Sequence, residues 1–327
     1  MAARWRHGRV AAAGRRRGLT WASCVVVLFV TLTEARAQSA SAALSPPSTT
    51  NVIYGLHGGL ALLMDVYAPT APANGRGVIV IPGTGFHGMT GYGGRSMRES
   101  PVARQLASSL AAAGYRVFIV SHRLAPVFRH PDPLHDVRRA VRFVRTNAAE
   151  FGIAPEALGV VGMSSGANLA TLLGAAAPHG DAGHSDPVER ASSGVQAVAA
   201  LSTPADLTLP VADPVGAVLL TSYLGAPVFP GRNDAPAIRR LLEEASPTLQ
   251  IQRSSAPMLL VHGAADTLVP IEQAESLAAA LARAGVPHRL LRIPDGTHDE
   301  LSPRGPREYV PAVIGWLDAH LLRGDAR

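Results

Sequence analysis

Residues 158–167 read LGVVGMSSGA, and their pattern is the strongest indication of the fold class. Its first residues form a short apolar run, which is typical of a parallel strand buried on both faces. The centre, GMSSG at residues 162–166, has the spacing G-x-S-x-G, whose glycines permit a turn too tight for neighbouring side chains. From Ala167 onward, the apolar residues have the spacing of a helix. The stretch therefore predicts a strand-turn-helix unit with Ser164 on the turn.

The residues around this unit alternate between short apolar runs and helical periodicity. Strands are predicted at residues 62–67, 77–81, 115–121, 158–162, 195–201, 257–262 and 289–293, and helices at residues 102–113, 136–151, 167–177, 271–284 and 308–321. Such alternation predicts an α/β fold with a mostly parallel central sheet and helices on both faces. Residues 204–254 interrupt this alternation of strands and helices. We interpret them as a small helical cap inserted over the carboxyl edge of the sheet.

A serine nucleophile needs a general base, and the base needs an acid that orients it. Asp266 follows the predicted strand at 257–262, and His298 follows the last predicted strand. Both residues then lie on loops at the same carboxyl edge of the sheet as Ser164. The sequence therefore predicts a Ser164–His298–Asp266 triad, in the chain order serine, acid, histidine.

Three other aspartates compete for the role of the acid. Asp206 follows the predicted strand at 195–201, and Asp295 and Asp299 flank His298. The two flanking residues share a tight loop with the histidine, which places their carboxylates poorly for its Nδ1. Asp206 stands at the entrance to the predicted cap, where a solvated or helix-capping aspartate is common. Asp266 is the preferred acid, and Asp206 is the main alternative.

An oxyanion that forms during acyl transfer needs backbone N–H donors. Ser165 follows the nucleophile directly and supplies one such amide. Others are expected in the loop after the strand at 77–81, where small residues let the backbone approach a substrate oxygen. Thr84, Gly85 and Ser165 are therefore the predicted oxyanion-hole residues.

The same loop contains a G-x-G-x-x-G sequence at residues 83–88, the pattern of a dinucleotide-binding turn. That pattern requires a helix at its third glycine and a strand-ending acid about 20 residues on, and this sequence offers neither. We therefore predict no cofactor. A metal site is not expected either, because His130, His135 and Asp136 belong to no metal-ligand motif. Asp136 is interpreted as the cap of the helix that follows it.

The composition excludes several classes of protein. The 327 residues are 47% apolar and 17% charged, unlike a disordered or collagen-like chain. The net charge of +6 comes from residues 1–37, which hold seven arginines and one acid. Removing these from the totals of 30 and 24 leaves 23 basic and 23 acidic residues. No nucleic-acid partner is predicted for such a balanced remainder.

The N-terminal residues have the order of a secretory signal peptide. Arginines at 4–17 precede an apolar stretch at 19–32, and Ala35-Arg36-Ala37 places small residues before Gln38. A membrane span needs about 20 apolar residues, so the shorter stretch predicts cleavage at Ala37/Gln38 and export to the periplasm or the medium. An uncleaved anchor is the alternative, and the arginine triplet at 15–17 leaves the twin-arginine route open. Residues 38–50 are interpreted as a disordered linker before a domain at 51–322.

Beyond the G-x-S-x-G turn at residues 162–166, which we call the elbow, several blocks resemble α/β-hydrolases of the esterase and lipase group, close to the hormone-sensitive-lipase-like and feruloyl-esterase-like (BD-FAE) branches. LMDVYAP at residues 63–69 is similar to the group's LDVYxP strand. HRLAP at 122–126, followed by Pro133 and Asp136, is similar to its YRLAP…P…D block, and FGIAP at 151–155 before the elbow is similar to FGIDP…GxSAG. The resemblance implies the α/β-hydrolase fold, with Ser164 as nucleophile, Asp266 as acid and His298 as base.

The sequence departs from the pattern of this group at three places. The group's HGGG[WF] loop is PGTGF at residues 82–86, so the amide that contributes there is left open. The group's GxSAGG is GMSSGA at 162–167, and its tyrosine before Arg-Leu-Ala-Pro is His122.

The expected function is that of an exported serine hydrolase that cleaves small carboxylic esters through an acyl-enzyme. Two alternatives remain open. One is a peptidase or amidase, because a fold does not fix the bond that is cleaved. The other is a non-catalytic binding protein of the same fold, which would be expected to have lost a member of the triad. The acyl and alcohol groups depend on side chains of the cap, whose positions the sequence does not give.

Overall fold

The computed structural model describes residues 44–88, 96–175, 180–211, 213–229, 235–298, 301 and 305–321. The expected signal peptide at 1–37, the first part of the expected linker and Asp299 lie outside these ranges. The strands are β1 (Thr49–His57), β2 (Leu60–Tyr67), β3 (Gly77–Ile81), β4 (Arg116–Val120), β5 (Leu158–Met163), β6 (Ala197–Leu201), β7 (Met258–Gly263) and β8 (His288–Ile293). The helices are α1 (Pro101–Ala112), α2 (Asp132–Thr146), α3 (Ala148–Phe151), α4 (Ser165–Ala175), α5 (Pro187–Arg190), α6 (Pro214–Leu224), α7 (Pro236–Glu244), α8 (Pro247–Gln250), α9 (Glu272–Ala284) and α10 (Val310–His320).

The eight strands form one sheet in the order β1-β2-β4-β3-β5-β6-β7-β8. Strand β2 runs antiparallel to both of its neighbours, whereas β3 to β8 all run in one direction. The carboxyl ends of these six strands therefore meet at one edge of the sheet. The prediction of a mostly parallel sheet is confirmed.

The central strands alternate their side chains between two buried clusters, one on each face of the sheet. Ile79 and Ile81 of β3 belong to the cluster that contains residues of α2, α4 and α9. Val78 and Val80 belong to the cluster that contains residues of α1 and α10. Since successive residues of a strand point to opposite faces, a continuous apolar run such as GVIVI packs against helices on both sides.

The first strand was not predicted. Only Tyr54 and Gly55 of β1 are buried, so this edge strand lacks the apolar pattern of the central ones. Hydrogen bonds to β2 define it instead, in an antiparallel register that pairs His57 with Leu60. The strand begins at Thr49, inside the range that we expected to be a linker.

Asp136 does not cap its helix, which corrects the interpretation from sequence. Helix α2 begins at Asp132, with Pro131 at the N-cap position, and Asp136 lies in the second turn. Its buried carboxylate accepts hydrogen bonds from the backbone amide of Arg123 at 2.8 Å and from the Arg123 guanidinium at 2.9 Å. The pair neutralises a charge that would otherwise be costly to bury and joins α2 to the segment after β4.

Helices α6, α7 and α8 lie between β6 and β7, in the segment expected to form the cap. The buried Asn168 of α4 anchors this segment by donating to the carbonyl oxygens of Pro204, at 2.8 Å, and Ala245, at 3.1 Å. On α6, Tyr223 and Leu224 are buried, while Val218 is exposed. None of the helices in the described ranges combines the length and the hydropathy needed to cross a bilayer.

Candidate active site

Ser164 occupies a strained turn between β5 and α4. Its φ angle is 53°, in the left-handed region that a residue other than glycine rarely adopts. The glycines on either side have no room for a side chain: a Cβ on Gly162 would lie 2.2 Å from the carbonyl oxygen of Gly166, and one on Gly166 would lie 2.2 Å from that of Ile81. The turn therefore requires the two glycines of the G-x-S-x-G sequence and presents Ser164 at the carboxyl edge of the sheet.

The three residues predicted to act together are hydrogen-bonded in series. Ser164 Oγ lies 2.9 Å from His298 Nε2, and His298 Nδ1 lies 2.8 Å from Asp266 Oδ2. Because a carboxylate only accepts, Nδ1 carries the hydrogen and Nε2 is left to accept from the serine hydroxyl. Ser164 follows β5, Asp266 follows β7 and His298 follows β8, so the parallel sheet brings three distant parts of the chain together.

Asp266 is held by its own loop. Its Oδ1 accepts hydrogen bonds from the backbone amides of Leu268, at 3.1 Å, and Val269, at 2.8 Å. These two donors fix the carboxylate and leave Oδ2 for His298. The side chain is fully buried, so its negative charge interacts strongly with the imidazole.

The competing aspartates are placed differently. Asp206 Oδ1 accepts from the amide and hydroxyl of Thr208, at 3.0 and 2.5 Å, and not from His298. Asp295 is exposed, and Asp299 lies outside the described residues.

His262 forms a link that the sequence did not predict. Its fully buried ring donates from Nε2 to the carbonyl oxygen of Val269 at 2.7 Å, and the same nitrogen lies 3.6 Å from Asp266 Oδ2. Burial lowers the pKa of His262. Its Nδ1 has no hydrogen-bond partner among the described residues, which fits a neutral ring with the hydrogen on Nε2. Val269 thus bonds to Asp266 through its amide and to His262 through its carbonyl.

The loop expected to form the oxyanion hole packs beside the nucleophile. A Cβ on Gly83 would lie 2.9 Å from the Cβ of Ser164. The amide of Thr84 donates to Ser165 Oγ at 2.9 Å, so it is already used within the protein. In the described part of the chain, the amides of Gly85 and Ser165 donate to no other residue. The three predicted residues are together, but only two have an available amide.

Helix α6 packs against the loop that contains Gly85 and Phe86. Gly85 and Phe86 have φ angles of 62° and 63°, and a Cβ on Gly85 would lie 2.9 Å from a methyl group of Leu219. The Phe86 ring stacks on Tyr223, with ring centroids 3.8 Å apart. The Tyr223 hydroxyl lies 3.1 Å from His130 Nδ1, and burial lowers the pKa of His130 to about 4. His130 is therefore neutral near pH 7 and accepts from the tyrosine.

A cavity of about 400 Å³ contains Ser164 and His298. Its apolar wall comes largely from the segment after β6: Leu207, Leu209, Val211, Leu219 and Leu220. Asp206 and Asp213 also line it. Within the described ranges, no group of three histidine, cysteine or acidic side chains is arranged to hold a metal ion.

A family model and two curated relatives each match about two thirds or more of this chain. The BD-FAE family model matches residues 64–281. Esterase LipQ of Mycobacterium tuberculosis is 30% identical over 241 residues, which cover 72% of this chain and 53% of LipQ. Esterase LipC of the same organism is 29% identical over 235 residues, which cover 68% of this chain and 52% of LipC. The chain thus spans about half the length of these curated relatives.

A solved structure agrees with the sequence matches. The acetyl ester-xyloside bifunctional hydrolase from Caldicellulosiruptor lactoaceticus is similar, with a TM-score of 0.69 and 25% identity over 85% of this chain and 98% of that one. The resemblance inferred from the sequence motifs is therefore confirmed. Since the family model spans more than half of the chain and the solved structure shares its fold, this protein belongs to the BD-FAE family of α/β-hydrolases.

Proposed function

We propose that this chain is an exported carboxylic ester hydrolase that works through an acyl-enzyme on Ser164. One observation carries the proposal: Ser164 and His298 line a cavity with apolar walls, and a hydrogen-bonded series runs from Ser164 Oγ through His298 to the buried Asp266. Family membership and the esterase names of LipQ and LipC support an ester as the substrate. The cavity of about 400 Å³ has the size of a small-molecule site.

In the acylation step, Ser164 Oγ attacks the ester carbonyl carbon while His298 Nε2 takes the hydroxyl proton. The electron pair of the carbonyl bond moves to its oxygen. When the tetrahedral intermediate collapses, that pair re-forms the double bond and expels the alcohol oxygen, which takes the proton from His298. Asp266 holds the imidazole in the required tautomer and stabilises the imidazolium that forms.

The oxyanion needs donors that are in place before the reaction. We assign this role to the amides of Gly85 and Ser165, which have no other described acceptor. Thr84 has a different role in this scheme, because its amide binds the Ser165 hydroxyl and holds the loop against the elbow.

Deacylation repeats the chemistry with water. His298 Nε2 takes a proton from a water molecule, whose oxygen attacks the acyl carbon. The intermediate then expels Ser164 Oγ, which regains its proton from His298, and the carboxylic acid leaves. No step requires a metal or an organic cofactor.

The serine assignment is tested with a fluorophosphonate probe, which labels an activated serine covalently. We expect the label on the peptide that contains Ser164, and Ser164→Ala to lose both labelling and hydrolysis of 4-nitrophenyl butyrate. Ser202→Ala is a matched control, because Ser202 also follows a strand with a positive φ, of 50°, and does not line the cavity. Labelling at another residue, or full turnover by Ser164→Ala, would overturn the proposal.

A preference for esters over amides is tested on the same protein. We expect 4-nitrophenyl butyrate to be cleaved with a far higher kcat/KM than the matching 4-nitroanilide. Comparable rates on both substrates would favour a peptidase or amidase.

A further inference from the structure

Asp206 stands on the wall of the catalytic cavity and is held there rigidly. Its backbone amide donates to Gln273 Oε1 at 2.7 Å, and its carbonyl oxygen accepts from Gln273 Nε2 at 3.0 Å. Gln273 lies in the first turn of α9, just after the loop that carries Asp266. Only 8% of Asp206 is exposed. The residue therefore has a fixed position relative to the site and faces the cavity rather than bulk solvent.

Only one of the two carboxylate oxygens of Asp206 accepts hydrogen bonds from described residues. Oδ1 accepts both hydrogen bonds from Thr208, which orient the side chain. No described residue donates to Oδ2, and no arginine or histidine of the described ranges forms an ion pair with this group. Oδ2 is not fully enclosed by the protein. This oxygen is therefore open to the cavity and can accept a hydrogen bond from a donor that a ligand brings.

The charge of the cavity favours a cation as that donor. Asp213 also lines the cavity, and it caps α6 by accepting from Val215 N at 2.7 Å. Among the described lining residues there is no arginine, and the chain contains no lysine. A hydroxyl would supply a hydrogen to Asp206 but no positive charge. A protonated amine supplies both, and hydrogen bonds between two charged groups are the stronger kind.

We infer that Asp206 determines substrate specificity and that the preferred substrates are esters carrying a protonated amine. The ammonium N–H donates to Asp206 Oδ2 while Ser164 attacks the ester carbonyl. The two carboxylates in the wall disfavour anionic esters for the same electrostatic reason. This inference rests on the proposed esterase function and adds to it the chemical class of the substrate.

The test uses pairs of esters that differ only in charge. 2-(Dimethylamino)ethyl acetate and 3-methylbutyl acetate place the ammonium, or its neutral isostere, on the alcohol side. Methyl 3-(dimethylamino)propanoate and methyl 4-methylpentanoate place it on the acyl side. Each kcat/KM at pH 7 is divided by the rate constant of hydroxide-catalysed hydrolysis, which removes differences in intrinsic reactivity.

In at least one pair, we expect the wild type to prefer the ammonium ester at least tenfold. Asp206→Asn keeps the acceptor for Thr208 and should reduce that preference to less than about twofold, while kcat/KM on the neutral ester changes less than about tenfold. Asp181→Asn is the control: this exposed aspartate makes a comparable local turn, accepting from Gly183 N at 3.0 Å, outside the cavity.

Two results would overturn the inference. One is a wild type that shows no preference in either pair, a result that overturns the inference even if Asp206→Asn fails to fold. The other is an Asp206→Asn variant that retains the preference in full. In both cases, hydrolysis of the neutral esters leaves the proposed function standing. A wild type that hydrolyses none of the four esters overturns the proposed function and this inference together.

Discussion

The hydroxyl of Ser165 accepts a hydrogen bond from the backbone amide of Thr84 at 2.9 Å. This bond joins the loop after β3 to the first residue of α4, directly beside Ser164. In the GxSAGG pattern that the sequence resembles, the position of Ser165 is an alanine, which has no hydroxyl to accept such a bond. The loop at residues 82–86 is thus hydrogen-bonded to the elbow through the Ser165 side chain, which differs from the pattern.

Removing this hydroxyl should loosen the oxyanion loop. We expect Ser165→Ala to lower kcat on a short-chain ester about fivefold, the equivalent of about 1 kcal/mol for a single hydrogen bond, with little change in KM. Steady-state kinetics on 4-nitrophenyl butyrate measure both constants. Thr171→Val, which removes a buried hydroxyl from the same helix away from the cavity, should leave kcat unchanged. An unchanged kcat in Ser165→Ala would show that the bond does not position the loop.

The acid of the proposed triad is tested by exchanging carboxylates for amides. Asp266→Asn should lower kcat at least a hundredfold, because an amide in place of the acid favours the wrong tautomer of His298. Asp206→Asn, Asp295→Asn and Asp299→Asn should each lower kcat on a neutral ester less than about tenfold. Circular dichroism checks that each variant is folded. An active Asp266→Asn beside a crippled Asp206→Asn would mean that the acid has been misassigned.

His262 should act through Val269 and Asp266, not on the substrate. His262→Gln keeps an N–H donor near the position of Nε2, whereas His262→Met has a similar length and no donor. We expect the methionine variant to lose about tenfold in kcat, an order-of-magnitude figure for one hydrogen bond to a positioning loop, and the glutamine variant to recover most of the loss.

A purely structural role for His262 would change the stability of the two variants and not their kcat. It would lower the melting temperature of both variants and leave kcat per folded molecule unchanged. We expect instead a fall in kcat with a nearly constant KM.

His130 makes the free energy of unfolding depend on pH. Burial lowers the pKa of this residue from 6.5 to about 4, so between these values the unfolded chain binds a proton that the folded chain does not. Stability therefore falls as the pH decreases below about 6.5. His130→Asn keeps an acceptor for the Tyr223 hydroxyl and removes the titrating group.

Thermal unfolding at pH 7 and pH 5 measures this effect. We expect the melting temperature of the wild type to fall about 2–4 °C further than that of His130→Asn over this interval. The other histidines are common to both proteins and cancel in the comparison. Equal decreases would show that His130 titrates in the same way in the folded and unfolded chains.

The proposed export through a cleaved signal peptide predicts a defined N-terminus. Expressed from its full sequence in a bacterium with a secretory system, the exported protein should begin at Gln38. Intact-mass and N-terminal peptide analysis of the periplasmic and secreted fractions measure this directly. Replacing Ala35 and Ala37 with arginine should block the cleavage, and an intact Met1 in the exported wild type would contradict the prediction.

Local sequence patterns were sufficient to predict the structure where the backbone geometry admits only one residue type. The tight contacts of Gly162 and Gly166 leave glycine as the fitting choice, so the elbow was recognisable from sequence. Continuous apolar runs such as that of β3 marked the strands that are buried on both faces. The order of the strands then placed Asp266 and His298 at the edge that carries Ser164.

Features that depend on contacts between distant residues were not predictable in this way. The edge strand β1 has few buried side chains and exists through its pairing with β2. Asp136 resembles a helix cap in the sequence, but Arg123, 13 positions earlier, makes it half of a buried ion pair. Nothing in the local sequence indicates that Gln273 holds the backbone of Asp206, 67 positions away.

The insertion between β6 and β7 has a practical consequence for engineering. Since the segment at 204–254 leaves and rejoins the sheet at adjacent parallel strands, it is a natural unit to exchange between relatives in order to change substrate range. Such a graft would not be independent of the chemistry, because Leu219 and Tyr223 on α6 support Gly85 and Phe86. A chimaera that imports only the lining side chains would be expected to bind new esters and turn them over slowly. A chimaera that also retains the contacts of Leu219 and Tyr223 should keep its kcat. A graft that changes substrate selectivity therefore has to preserve these two contacts in order to preserve kcat.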